Sequence, residues 1–180
     1  FYKNMNGSFL RLPDLVPTEE EAKQILWVDF DNDGDQDLFV ASFNGVNRLY
    51  EQTSPFEFTD ITVDAGLLGF YTDTYGACFG DYDNNGHQDL YVSNMFSKAG
   101  RRILSSFDGI DPNYLHSVNG NVLYKRPDSK NFERVSGLKP PSLLVAEAGW
   151  SWGGQFVDFD NDGDLDIHAL SGYFTAPKEL

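Results

Sequence analysis

Three short segments of the chain place aspartate and asparagine at alternate positions around one glycine. They are residues 29–37, 81–89 and 158–166, and all three obey the pattern D-x-D-x-[DN]-G-x-x-D. Together they hold 13 of the 28 acidic residues. Carboxylates repel one another at short range, so a fold that gathers them needs a compensating cation. This pattern therefore indicates three cation-binding loops rather than solvated acidic turns.

The spacing within each segment favours calcium. Side chains at positions 1, 3 and 5 converge on one point, glycine at position 6 permits the sharp turn, position 7 offers its backbone carbonyl and position 9 closes the shell. All donors are oxygen, and six or seven of them suit calcium better than magnesium. Zinc is disfavoured because the loops contain no cysteine and because His87 stands at position 7, where the backbone would coordinate. We expect about three Ca²⁺ ions, with metal ligands from Asp29, Asp31, Asp33, Asp35, Asp37, Asp81, Asp83, Asn85, His87, Asp89, Asp158, Asp160, Asp162, Asp164 and Asp166.

An EF-hand shares the first half of this pattern but does not fit the second. It needs a bidentate glutamate at position 12, where this chain has Val40, Val92 and Ala169. It also needs flanking helices, whereas the apolar residues on both sides of each loop are typical of short strands. The predicted unit is a strand, a calcium loop and a second strand.

A second pattern recurs between the loops and predicts another hairpin. Leu49-Tyr50-Glu51 leads to the strand-like residues 56–62, and Leu123-Tyr124-Lys125 leads to 131–136. The two patterns together predict one all-β domain over 1–180, built from four-stranded antiparallel units of the kind found in propeller blades. We place the repeats approximately at 1–48, 49–122 and 123–180, with an insertion at about 95–121 in the second.

Helical content is expected to be low. Thr18 could cap one short helix over Glu19–Ile25 because Glu21 follows three residues later. Ser142–Ala148 is a second candidate, since it follows Pro140-Pro141. Insertions in repeat proteins fall on loops of one face, often the binding face, so 95–121 is either a binding element or a packing arm.

The chain resembles the FG-GAP/VCBS repeat family, whose blades build integrin α-like β-propellers with calcium loops. The resemblance lies in Tyr75-Gly76-Ala77, Phe79-Gly80 and Trp152-Gly153-Gly154, besides the three loops, while 91–96 and 149–153 are similar to bacterial members of the ASPIC/UnbV type. It implies about three blades here, as part of a larger propeller of about seven, because a closed ring protects the sheet edges.

Composition and resemblance together favour a non-catalytic scaffold for protein–protein contacts. The formal net charge is -15 and the pI about 4.3, which argues against nucleic acid and anionic lipid as partners. The longest apolar runs, such as Ile25–Val28, are too short to span a bilayer. We expect an extracytoplasmic location, because structural calcium loops fill where calcium is plentiful and because the resemblance points the same way.

Two other functions are less favoured by the sequence. Carbohydrate binding is the alternative, since Trp27, Trp150, Trp152 and the tyrosines could stack on sugar rings, although aromatics beside such strands normally pack between blades. Catalysis is disfavoured, because none of His87, His116 and His168 lies in a catalytic motif and Cys78 lies in an apolar stretch. Among the loops, we expect 81–89 to bind its ion most weakly, since it has the fewest carboxylates.

Overall fold

The computed structural model describes residues 1–17, 21–67, 72–111, 113–128 and 131–172. It is mostly β, with 47% strand and 6% helix, which confirms the all-β prediction and the low helical content. The strands are β1 Tyr2–Met5, β2 Ser8–Arg11, β3 Glu21–Val28, β4 Asp37–Gly45, β5 Arg48–Ser54, β6 Glu57–Asp60, β7 Thr72–Gly80, β8 Asp89–Asn94, β9 Val122–Lys125, β10 Glu133–Arg134, β11 Ser151–Val157 and β12 Asp166–Ser171. The helices are α1 Lys98–Leu104 and α2 Asn113–His116.

The strands pair antiparallel in two groups of four. β3 pairs with β4, β4 with β5 and β5 with β6, and the same meander recurs from β7 to β10. A short contact between β4 and β7, with Phe43 opposite Asp73, joins the two groups into one curled sheet. The hairpins β1–β2 and β11–β12 form separate sheets. This architecture is consistent with part of a β-propeller; the blade number and the repeat limits stay predictions.

The Asp-rich segments connect paired strands, as predicted. Residues 29–37 connect β3 to β4, 81–89 connect β7 to β8 and 158–166 connect β11 to β12. In each hairpin the residue before the segment is opposite its ninth residue: Val28 is opposite Asp37, Gly80 opposite Asp89 and Val157 opposite Asp166. The second class of hairpin is also present, as β1–β2, β5–β6 and β9–β10.

The core lies against the inner strands of the two groups. β8 is buried along its whole length, and β4 is buried over its first six residues. Such strands are covered on both faces, which explains why they read as continuous apolar runs. Phe39, Leu49 and Leu90 are each 0% exposed and belong to one cluster. Burying each such side chain contributes about 1.5–3 kcal/mol.

Both predicted helices were wrong. Residues 21–25 of the first lie in strand β3, where Leu26 pairs opposite Phe39 of β4; Thr18, Glu19 and Glu20 lie outside the described residues. Cross-strand pairing has overridden the local capping signal. The second segment, 142–148, is irregular because its backbone bonds elsewhere: Leu143 donates to the Val135 carbonyl at 2.9 Å, and the Ala146 carbonyl accepts from Asn121 at 3.0 Å.

The insertion at 95–121 carries both helices. Its two ends are joined, since Phe96 bridges to Asn119 and the Gly120 amide donates to the Met95 carbonyl at 3.0 Å. The side chain of Ser97 caps α1 by accepting from the Gly100 amide at 2.9 Å. None of the described helices is long and apolar enough to cross a membrane.

Candidate metal centres

Loop 1 (29–37), loop 2 (81–89) and loop 3 (158–166) share one backbone shape. The fourth residue is left-handed in each, with φ of 63° at Asn32, 56° at Asn84 and 61° at Asn161. The sixth residue is a left-handed glycine, with φ between 87° and 96°. Only glycine, and asparagine among the others, adopts this conformation readily. Asparagine stands at position 4 of all three segments, a signal in the sequence that the predicted pattern D-x-D-x-[DN]-G-x-x-D does not include.

The first aspartate of each loop organises the turn. In loop 1, Asp29 accepts from the amides of Asp33 and Gly34, both at 3.1 Å. Asp81 does the same in loop 2 at 2.9 and 2.8 Å, and Asp158 in loop 3 at 3.1 and 3.1 Å. The backbone thus wraps around one carboxylate, which is how a short loop brings several oxygens to one point.

Carboxylate oxygens converge in all three loops, to within 4.8 Å of one another. Loops 1 and 2 bring together positions 1, 3 and 9, whereas loop 3 brings together positions 1, 3 and 5. The groups are Asp29, Asp31 and Asp37; Asp81, Asp83 and Asp89; and Asp158, Asp160 and Asp162. The remaining predicted carboxylate and imidazole ligands lie in the same loops but outside these groups: Asp33, Asp35, His87, Asp164 and Asp166. Asn85, an amide, stays a predicted ligand.

The ninth residue distinguishes loop 3 from the other two. Asp37 accepts from the amides of Phe30 at 3.1 Å and Gln52 at 2.9 Å, and Asp89 accepts from Tyr82 at 3.1 Å and Arg126 at 2.7 Å. Asp37 therefore joins loop 1 to strand β5, and Asp89 joins loop 2 to the residue that follows strand β9. Asp166 is half-buried and makes no such pair of bonds within the described chain. Asp166 also lies outside the loop 3 group.

The carboxylates of loops 1 and 2 fit a hard cation. Burial, and next the neighbouring carboxylates, raise the pKa of Asp37 and of Asp89 to about 6, against hydrogen bonds from backbone amides that lower it. In the described part of the chain, Asp35 Oδ1 and Asp83 Oδ1 are buried without a hydrogen-bond partner. Buried carboxylate oxygens that lack donors are costly unless a cation compensates them. The donor set is all oxygen, as calcium prefers.

Two basic residues, the last of β9 and the one that follows it, lie beside these loops, and neither was among the predicted site residues. Lys125 pairs with Asp83 of loop 2. Arg126 is 0% exposed, and its guanidinium lies 4.8 Å from the Phe30 ring and 5.8 Å from the Phe132 ring. Burial lowers the pKa of Arg126, while Asp31 and other acidic residues oppose that shift. Since the backbone of Arg126 binds Asp89, this one residue contacts loop 2 and faces loop 1.

Asparagine side chains connect neighbouring loops. Asn32 of loop 1 donates to the Gly86 carbonyl of loop 2 at 3.1 Å. Asn84 of loop 2 donates to the Gly163 carbonyl of loop 3 at 3.4 Å and to Asp164 Oδ1 at 2.8 Å. The fourth residue of one loop thus holds the sixth residue of the next, so the three loops form a row. The pattern in the sequence gives no indication of this contact.

Residues 29–92 match the FG-GAP-like repeat family. The matched segment begins at loop 1 and ends in β8, so it includes loops 1 and 2. It confirms the resemblance to FG-GAP repeats, whereas the ASPIC/UnbV subtype stays a prediction. A search of curated proteins found no match.

Proposed function

We propose, from the FG-GAP-like repeat at 29–92 and from the repeated carboxylate groups, that this chain is a calcium-binding, non-catalytic propeller scaffold for protein assembly. The observation that carries the proposal is that the turns of three hairpins each bring three carboxylates to within 4.8 Å of one another. A bound calcium ion would supply positive charge that offsets the repulsion among the carboxylates. A single acidic turn on the surface would need no bound cation to explain it. Three acidic turns with the same backbone shape favour a common cation-binding role.

The residues that would hold the ions also connect strands. In loops 1 and 2 the side chains at positions 1, 3 and 9 would bind the ion, with backbone oxygen from position 7. Asp37 and Asp89 already bind the amides of Gln52 and Arg126. Holding these aspartates in their ionised form therefore fixes each hairpin against the following strand. On this proposal the ions stabilise the scaffold and take no part in a reaction.

The environment of the reactive side chains supports a non-catalytic role. Burial raises the pKa of the Cys78 thiol to about 11, so the thiol stays protonated, and a protonated thiol is a poor nucleophile. Burial, and next Arg134, lower the pKa of His116. We also propose an extracytoplasmic location, which FG-GAP repeats typically have and which suits calcium loops of modest affinity.

Carbohydrate binding is the second candidate, favoured by exposed tryptophans. Trp27 is 48% exposed and Trp152 is 45% exposed. The Trp27 ring, however, lies 5.9 Å from Phe1 and 6.0 Å from Phe58. Trp152 lies 4.7 Å from Tyr75, and its indole donates to the Gly172 carbonyl. These rings are engaged with neighbouring aromatics, so the scaffold role is better supported.

Thermal unfolding with and without calcium tests the proposal. We expect millimolar calcium to raise the melting temperature relative to EDTA, with magnesium giving a smaller shift; each filled site adds about 2.7 kcal/mol at a hundredfold excess over its dissociation constant. Asp81→Asn should reduce the calcium-dependent shift. Asp14→Asn, an exposed aspartate outside the loops, is the matched control. Equal melting temperatures in EDTA and calcium would contradict the proposal.

A further inference from the structure

The insertion at 95–121 forms a groove that the metal proposal does not use. A cavity of about 630 Å³ lies against α1 and α2, lined by Arg101, Arg102 and His116 among others. A second cavity of about 500 Å³ shares Lys98 and Arg101 with the first and extends to Lys139. We call these two adjoining cavities the basic groove; the charged or titratable residues that line it are Lys98, Arg101, Arg102, His116, Lys139 and Glu147.

The groove holds uncompensated positive charge. Its one carboxylate, Glu147, pairs with Lys98. Arg101, Arg102 and Lys139 form no ion pair within the described residues. His116 adds no charge at neutral pH, since burial and next the nearby Arg134 lower its pKa. Three free cations in a chain of net charge -15 therefore mark a surface that attracts acidic groups.

Distance separates this positive charge from the metal loops. Loop 2 ends where β8 begins at Asp89, and the insertion starts after β8 ends at Asn94. At about 3.3 Å per residue, the six residues of β8 put the two features about 17–20 Å apart, beyond the screening length of about 8 Å at physiological salt. An acidic ligand in the groove would therefore not meet the repulsion of the loops directly.

The insertion also exposes large apolar side chains. Ile103 is 52%, Phe107 61% and Tyr114 57% exposed. Arginine together with aromatic residues is the composition enriched at protein interfaces. The groove is held firmly at its base, because Met95 bridges to Trp150 and because Gly120 approaches the Ala146 carbonyl so closely that a Cβ there would collide with it. A surface that is fixed in advance loses less entropy on binding.

We propose that the basic groove docks an acidic peptide segment of a partner protein, with an apolar side chain of that segment packed on Leu115 or Leu138, which line the groove. This rests on the proposed scaffold function and locates its partner surface. The acidic groups would pair with Arg101, Arg102 and Lys139. The net charge of the whole chain disfavours a polyanion as long as nucleic acid, which would run past the groove onto acidic surface.

Fluorescence anisotropy on the full calcium-loaded chain tests this docking. The probe is a short fluorescein-labelled peptide of Glu and Phe, and the same peptide with Lys in place of Glu is the probe control. We expect the acidic peptide to bind and the basic one not to, with affinity falling as salt rises. The double variant Arg101→Glu/Arg102→Glu should weaken binding at least about tenfold, which is about 1.4 kcal/mol.

Matched variants separate the groove from overall charge. Lys3→Glu/Arg11→Glu makes the same charge change on the exposed hairpin β1–β2 and should leave binding within about twofold, while Arg101→Lys/Arg102→Lys should retain most of it. Equal losses in both double reversals, or no binding of the acidic peptide, would overturn the proposal. So would tighter binding of single-stranded DNA, or self-association abolished by the groove variant. If calcium still stabilises the chain in those cases, the metal proposal survives and only the groove assignment falls.

Discussion

The side-chain amide of Asn84 in loop 2 donates a hydrogen bond to the backbone carbonyl of Gly163 in loop 3, 3.4 Å away. The side-chain amide of Asn32 in loop 1 likewise donates to the Gly86 carbonyl in loop 2 at 3.1 Å. In each case a residue that must be left-handed to shape its own loop also fastens the neighbouring loop. The position next to each held glycine is the one expected to give its backbone oxygen to the ion. Side-chain hydrogen bonds therefore connect the three Asp-rich loops to one another.

Removing one such amide should lower both the free energy of unfolding and the cooperativity of calcium binding. Asn84→Gly keeps the left-handed backbone readily but loses the loop-to-loop bonds. We expect a loss of about 1–2 kcal/mol in the free energy of unfolding, and a calcium titration whose sites fill less cooperatively. Asn161→Gly is the matched control, because within the described residues Asn161 makes no bond to another loop. Equal effects of the two variants in urea unfolding and calorimetric titration would contradict this coupling.

In the absence of calcium, protonation of the ninth aspartates should make their contribution to the free energy of unfolding fall as pH rises. The pKa of Asp37 in the fold is raised from an ordinary 3.8 to about 6, first by burial. Between these values the folded chain holds a proton that the unfolded chain has released. Its contribution to the stability of the metal-free protein is therefore present below about pH 4 and lost as pH rises through 6. Calcium requires the ionised form, so calcium affinity should rise over the same window.

Urea unfolding in EDTA from pH 4 to 7 measures this effect, with Asp37→Asn as the test variant. The free energy of unfolding of the wild type minus that of the variant should fall as pH rises, since only the wild type titrates at this position. Asp14→Asn, outside the loops, should show a pH profile parallel to that of the wild type. A difference that rises with pH would mean that Asp37 is held ionised in the metal-free fold.

Arg126 should act as a resident cation for loop 1. Its buried guanidinium faces Asp29, Asp31 and Asp37, so it offsets their repulsion when no ion is bound and repels an ion that enters. Arg126→Met should tighten calcium binding at loop 1 about tenfold, or about 1.4 kcal/mol. It should also destabilise the metal-free protein by up to about 3–5 kcal/mol, since buried carboxylates lose their partner.

The measurement is the calcium-dependent shift in melting temperature, which should be larger in Arg126→Met than in the wild type. Arg126→Lys keeps the charge and loses the stacking on Phe30 and Phe132, so it should show a shift close to that of the wild type. A shift in Arg126→Met that equals that of the wild type would show that the guanidinium serves packing alone.

The sequence predicts the hairpins well because their signals are local. The Asp-rich turns and the apolar residues on either side determine β3–β4, β7–β8 and β11–β12 without help from the rest of the chain. The helix proposed at 19–25 fails because β4 offers a paired edge that capping cannot outweigh. The positions of Arg126 and Lys125 beside the loops could not be predicted for a similar reason. They follow no motif, and only the return of β9 beside β8 brings them to loops 1 and 2, which lie far earlier in the chain. 

Loop 2 should bind its ion most weakly and release it first on chelation. It has three carboxylates where loops 1 and 3 have five, and Lys125 already pairs with one of them, Asp83. Ligand charge is one of the determinants of calcium affinity. Asn85→Asp is a poor test, although it restores a carboxylate, because the Asn85 amide donates to the Arg126 carbonyl at 3.0 Å and an aspartate there would lose that bond.

Lys125→Met is the sharper test, since it removes a competing positive charge and leaves every predicted ligand in place. We expect it to tighten loop 2 about fivefold, roughly 1 kcal/mol, with Lys139→Met in the distant groove as the matched control. The backbone amide signals of Gly34, Gly86 and Gly163 in a calcium titration followed by NMR report the three loops separately, because each amide binds the first aspartate of its loop. If the Gly163 signal shows that loop 3 empties before loop 2, the number of carboxylates does not determine the order of calcium affinity among the loops. The ninth aspartate would then be decisive, because Asp37 and Asp89 are fixed by two backbone amides each and Asp166 is not.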